Sequence, residues 1–124
     1  MTAAFMIQDE ILDHYKFPRH RCTLTHPTFS VELVNQSCGD RIIVAARIEG
    51  GRIRECGFQG EGCVLSQASA SMLMEDIWGS DIAKIATIDA EYMQKRLGIA
   101  VGPTRLRCIL LALEAFRKGL AQDR

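Results

Sequence analysis

A chain of 124 residues, 48% of them apolar, can build one hydrophobic core but not two. Its 15 basic and 15 acidic side chains cancel, which excludes the basic excess of a nucleic-acid binder. No apolar run reaches membrane-spanning length, and the first residues lack a signal peptide's basic flank and apolar stretch. The cytoplasm is therefore expected, with no membrane partner.

Residues 5–16 read as an amphipathic helix with Phe5, Ile11, Leu12 and Tyr15 near one face, stopped by Pro18. A loop follows from Arg19 to Thr28. The period then becomes two: Phe29, Val31 and Leu33 alternate along a first strand, and Ile42, Val44, Ala46 and Ile48 along a second over 41–48. Gly50-Gly51 marks a tight hairpin into a third strand from Ile53 to Phe58. Past Gly62 the pattern is helical. A helix is expected over 64–77, with Val64, Leu65, Ala68 and Met72 as its apolar positions. Ser80 and Asp81 can cap a short helix to Ala86, and Asp89 can start another through Leu97, ended by Gly98. Pro103 suits the first turn of a last helix whose stripe is Leu106, Ile109, Leu110, Leu113, Phe116 and Leu120. Strands followed by helices predict an α+β domain over residues 1–124, a three-stranded antiparallel meander with helices packed on one face.

Five cysteines in a cytoplasmic chain read as thiols or metal ligands rather than disulfides. Three have contexts that suggest a site. Cys38 lies in the turn between the first two strands, where Gly39 permits a sharp path and the Asp40 carboxylate can approach the same point. Cys63 follows Gly60-Glu61-Gly62 at a helix start, where free N–H groups and the helix dipole favour negative charge. Cys108 lies in the first turns of the last helix. Three thiols and a carboxylate suffice for one tetrahedral ion or one corner of an iron–sulfur cluster. The bland alternative is three unrelated buried thiols, since there is no C-x-x-C pair. Cys56 reads as core and Cys22 as a loop residue, and His14, His20 and His26 as surface or capping residues.

These motifs resemble the iron–sulfur cluster scaffold family, the IscU, SufU and NifU N-terminal-domain group. The likeness runs through Asp13-His14-Tyr15-Lys16-Phe17-Pro18-Arg19, Cys38-Gly39-Asp40, Phe58-Gln59-Gly60-Glu61-Gly62-Cys63 with Ala68-Ser69-Ala70-Ser71-Met72, and Arg105-Leu106-Arg107-Cys108 with Leu111 and Ala112. The resemblance implies a SufE/IscU-like fold in which Cys38, Asp40, Cys63 and Cys108 bind Zn²⁺ or a nascent [2Fe–2S] cluster. It implies a cysteine desulfurase as sulfur donor and apo iron–sulfur proteins as recipients. Thiolates suit zinc and iron–sulfur clusters, and one oxygen ligand loosens the hold, as a transfer protein requires. There are departures. Arg107 stands where IscU-type members carry histidine, and Gln36 where the family has proline. Cys22 stands where glycine is common. Val101-Gly102-Pro103-Thr104-Arg105 replaces the IscU motif Leu-Pro-Pro-Val-Lys, which argues against chaperone docking. The interval from Cys63 to Cys108 is short, as in IscU.

Three functions are compatible with these residues. The first is a cluster-assembly scaffold. The second is a zinc-dependent sulfur acceptor of the SufU kind, with Cys108 or Cys63 as the nucleophile and Zn²⁺ and nearby Arg107 favouring its deprotonation. The third is a domain whose zinc is purely structural.

Overall fold

The computed structural model describes residues 2–122, and their side chains from residue 9 onward. Its elements are α1 (Thr2–Lys16), β1 (Phe29–Asn35), β2 (Asp40–Glu49), β3 (Arg52–Glu61), α2 (Val64–Ile77), a 3₁₀ turn (Ile82–Thr87), α3 (Ala90–Leu97) and α4 (Pro103–Gln122). The strands form the expected antiparallel sheet, ordered β1-β2-β3. Phe29, Val31, Ile42, Val44, Ala46, Ile53, Cys56 and Phe58 point from it into the core. α2 and α4 cover that face, with α4 across β1 and β2 and α2 against β3. The opposite face shows Ser30, Glu32, Val34 and Arg41 to solvent.

Several helix ends follow from local chemistry. Asp81 and Asp89 cap the 3₁₀ turn and α3 through their carboxylates, and Gly98 closes α3 in the left-handed conformation at φ 77°. Pro103 opens α4.

Other expectations change. β3 continues three residues past Phe58 to Glu61. Its glycines are there because neighbours come close: a Cβ on Gly60 would collide with the Arg41 carbonyl, and one on Gly57 would lie 2.7 Å from Cys22 Sγ. Segment 20–22 pairs with this edge, His20 accepting from the Phe58 N–H at 3.0 Å and Cys22 donating to the Phe58 carbonyl at 3.2 Å. α2 is buried on all sides from Ser66 to Met74, whereas Val64 and Leu65 are only half-buried. The face of α4 is wider than its stripe and adds Cys108, Leu111, Ala112, Ala115 and Gly119, because α4 packs on both sheet and α2.

On α1 the inward residues are Ile11 and His14, while Leu12 and Tyr15 are exposed. Phe5 lies outside the residues whose side chains are described. His14 is therefore not a surface histidine. Its Nδ1 lies 2.7 Å from Ser71 Oγ and its Nε2 3.7 Å from Glu75. Burial first, then the Arg19 guanidinium, holds its pKa below the ordinary value. Arg19 donates its backbone N–H to the same Ser71 hydroxyl at 2.8 Å, so the Asp13–Arg19 stretch is fastened to α2.

Candidate metal and sulfur site

The β1–β2 turn and the starts of α2 and α4 converge. Cys38 sits half-buried in the turn, its N–H donating to the Asn35 carbonyl at 3.2 Å, with Gly39 left-handed at φ 71°. Asp40 is the first residue of β2 rather than part of the turn, and it is fully buried. Cys108 is in the second turn of α4 and 2% exposed. The Cys38 sulfur, an Asp40 oxygen and the Cys108 sulfur all lie within 4.8 Å of one another.

Cys63 stands at the margin of this trio. It is the exposed N-cap of α2, its Sγ accepting the Ser66 N–H at 3.4 Å and lying 3.9 Å from Asp40 Oδ2. Its own N–H donates to Asp40 Oδ1 at 2.8 Å. One carboxylate thus holds the α2 start in place with one oxygen and faces the thiols with the other. Gly62 makes this possible. Its φ is +148°, and a Cβ there would collide with Asp40 Oδ1. Gly62→Ala is expected to displace Asp40 and destabilise the fold by about 1–3 kcal/mol, through backbone strain and the lost hydrogen bond. Thermal unfolding and zinc affinity measured on the same variant check both parts.

The electrostatics of the trio call for a cation. Among the described residues no ion pair reaches the buried Asp40 carboxylate. A buried charge without a partner is costly. The Cys108 thiol is pushed far above its ordinary range, first by burial, then by hydrogen bonding to Asp40 and Cys38 and by the charge of Cys63. Arg107 is exposed and is not among the groups that shift the Cys108 thiol in the metal-free site. Soft sulfurs with one hard oxygen match zinc or iron in donor type, and the unpaired carboxylate supplies the charge such an ion would balance.

The remaining candidates fall elsewhere. Cys56 is fully buried, donates to the Met74 carbonyl at 3.6 Å and is pushed up to about 12 by burial, the profile of an inert core thiol. Cys22 is an exposed residue over Gly57 on the far edge of β3. His20 stacks on Trp78 with ring centroids 4.3 Å apart, and His26 is exposed. One neighbour of the trio escaped the sequence reading: Asn35, whose Nδ2 donates to Cys108 Sγ at 3.8 Å. Its only signal was its place at the head of the Asn35-Gln36-Ser37-Cys38 turn.

Comparison with known proteins fits this architecture. The family profile described as "NifU-like N terminal domain" matches residues 6–123. The zinc-dependent sulfurtransferase SufU of Bacillus subtilis is 33% identical, over 91% of this chain and 88% of that protein. The iron–sulfur cluster assembly scaffold protein IscU of Thermotoga maritima is 31% identical, over 97% and 96%. The crystal structure of a proposed SUF-system scaffold protein from Fervidobacterium islandicum superposes with a TM-score of 0.73 at 26% identity, covering 91% of this chain and 96% of that one. The chain belongs to the NifU-like N-terminal-domain family, the IscU and SufU group of iron–sulfur scaffold proteins.

Proposed function

We propose that residues 1–124 form one cytoplasmic scaffold domain on which an iron–sulfur cluster is assembled. A cysteine desulfurase supplies the sulfur, Cys38, Asp40, Cys63 and Cys108 hold iron or a transient [2Fe–2S] cluster, and apo-proteins receive it. The carrying observation is the convergence of Cys38, Asp40 and Cys108 within 4.8 Å, with Cys63 3.9 Å from the same carboxylate. An assembly site must admit its substrates and later release them. The exposed Cys63 provides the entrance, and the single oxygen ligand weakens the grip. The test is anaerobic reconstitution with ferrous iron, cysteine, a desulfurase and a thiol reductant that brings the persulfide sulfur to sulfide. A visible-absorbing [2Fe–2S] species that moves to an apo-ferredoxin is expected. A folded protein that forms none refutes the scaffold reading.

A second reading has a specific observation in its favour: Cys63 is exposed and set apart from a trio in which Asp40 and Cys108 are buried and Cys38 half-buried. In this reading Cys38, Asp40 and Cys108 retain Zn²⁺, and Cys63 is the sulfur acceptor. The Cys63 thiolate attacks the terminal sulfur of the desulfurase persulfide. The new bond joins Cys63 Sγ to that sulfur, the donor's S–S bond breaks, and the desulfurase cysteine leaves as thiolate. A groove of about 360 Å³ lined by Tyr15, Arg21, Gly60, Glu61, Gly62 and Gln67 adjoins Cys63 in sequence and gives a delivering peptide a place to lie. Tight zinc together with Cys63-dependent stimulation of desulfurase turnover, and no transferable cluster, selects this reading over the first.

A further inference from the structure

We propose that Asn35 is a positioning residue for the ligand sulfurs, its side-chain N–H supporting the Cys108 thiolate while its backbone carbonyl ties down the turn that carries Cys38. The inference rests on the reading of this site as a metal or cluster centre. Geometry carries it: Asn35 touches two of the ligand-bearing segments and is paired with a third.

Cys108 Sγ lies 3.7 Å from the Thr104 carbonyl one turn earlier and receives the Asn35 Nδ2–H at 3.8 Å. A metal ligand must be a thiolate. At 2% exposure the Cys108 side chain is turned away from solvent. Among the described residues, Asn35 is the side chain that donates a hydrogen bond to this sulfur.

The placement of Asn35 is coupled to the rest of the site. It is the last residue of β1 and lies opposite Asp40 in the β1–β2 ladder. Its carbonyl accepts the Cys38 N–H at 3.2 Å. One residue therefore touches the Cys38 turn through its backbone and Cys108 through its side chain, and it is register-paired with the carboxylate. A shift of the β1 end would move all three ligand groups together. A hydrogen bond to a ligating sulfur also withdraws electron density from it, which tunes the metal–sulfur bond and the potential of a bound cluster.

The test uses Co²⁺ alone as the probe, because its sulfur-to-metal charge-transfer band reports thiolate ligation directly. Asn35→Leu is close to isosteric and has no donor, and Asn35→Gln retains one. Cobalt should bind wild-type protein with a thiolate band. The leucine variant should bind about 10-fold more weakly, the usual scale for an outer partner of a ligand. Its band should move to longer wavelength, as a more electron-rich sulfur is easier to oxidise. The glutamine variant should recover at least part of both changes. A leucine variant matching wild type in band and affinity overturns the proposal, as does a glutamine variant no better than leucine. If the leucine variant does not fold, Asn35→Ser, judged against Asn35→Ala, makes the same donor comparison. No thiolate band in folded wild-type protein would instead refute the metal reading, and Asn35's role would fall with it.

Discussion

Asp40→Ala is expected to leave the fold intact and to slow loss of the bound [2Fe–2S] cluster at least tenfold. Asp40, itself buried, adds a fourth negative charge to the three ligand thiolates of a loaded site, and among the described residues no basic side chain pairs with it. Two unit charges 4 Å apart interact by on the order of 4 kcal/mol at an effective dielectric of 20. Relieving a third of that in the loaded state is enough for about tenfold in a release rate. The carboxylate is also the hard donor in a soft set, and so the natural point at which a chelator or acceptor protein begins to withdraw iron. The cost to the apo-protein is the hydrogen bond from the Cys63 N–H at 2.8 Å, on the order of 1–3 kcal/mol. Removal of an unpaired buried carboxylate offsets it. The measurements are decay of the visible absorbance under a chelator and the unfolding midpoint of the apo-protein. Equal or faster decay contradicts the releasing role given to Asp40. A variant that unfolds together with loss of zinc would assign the site to structure rather than transfer.

The fold was legible wherever local chemistry decides it. Alternation in Phe29–Leu33 and Ile42–Ala46, the Gly50-Gly51 turn, and the caps Asp81, Asp89 and Gly98 each act over a few residues, and each is where periodicity and capping put it. What was hidden depends on partners distant in sequence. His14 reads as a surface or capping residue on an amphipathic helix. It is buried because Ser71, 57 residues away, gives its ring a hydrogen bond. Gly60 reads as part of the loop before Cys63. It lies within β3, where the Arg41 carbonyl leaves no room for a side chain. Ser66–Met74 shows no stripe because α2 is packed between α1, α4 and β3, a surrounding no local period records.

The site was legible by residue type and less so by geometry. Glycine beside Cys38 and before Cys63 pointed to element ends that can approach one another, and those ends do converge. The division of labour was invisible. Nothing in the spacing separates Cys63, exposed at a helix cap, from Cys108, buried one face further in. Nor could the sequence show that Asp40 grips the Cys63 backbone, because that bond spans 23 positions and needs the β2–β3 register to bring Gly62 against the carboxylate.

Metal binding should release at least one proton from Cys108, so that zinc affinity climbs steeply with pH. In the metal-free protein this thiol is held above its ordinary value of 9.0, chiefly by burial and then by its hydrogen bond to Asp40. It therefore carries its proton at neutral pH, whereas a zinc ligand must be a thiolate. The sign follows directly: protons compete with the metal, low pH favours the empty thiol, and affinity rises about tenfold per pH unit for each proton displaced. Because the shift is upward, the rise should continue beyond pH 9 instead of levelling at an ordinary thiol's value. The same shift acts on the metal-free fold. Above pH 9 the unfolded chain ionises this cysteine and the folded chain does not, so apo-protein stability falls as pH rises. Calorimetric titration with zinc in buffers of different ionisation enthalpy counts the protons, and Cys108→Ala should release at least one fewer than wild type. Proton release unchanged in Cys108→Ala would remove Cys108 from the ligand set and leave Cys38, Asp40 and Cys63 to hold the ion, whereas affinity flat between pH 7 and 9 would contradict thiol ligation altogether.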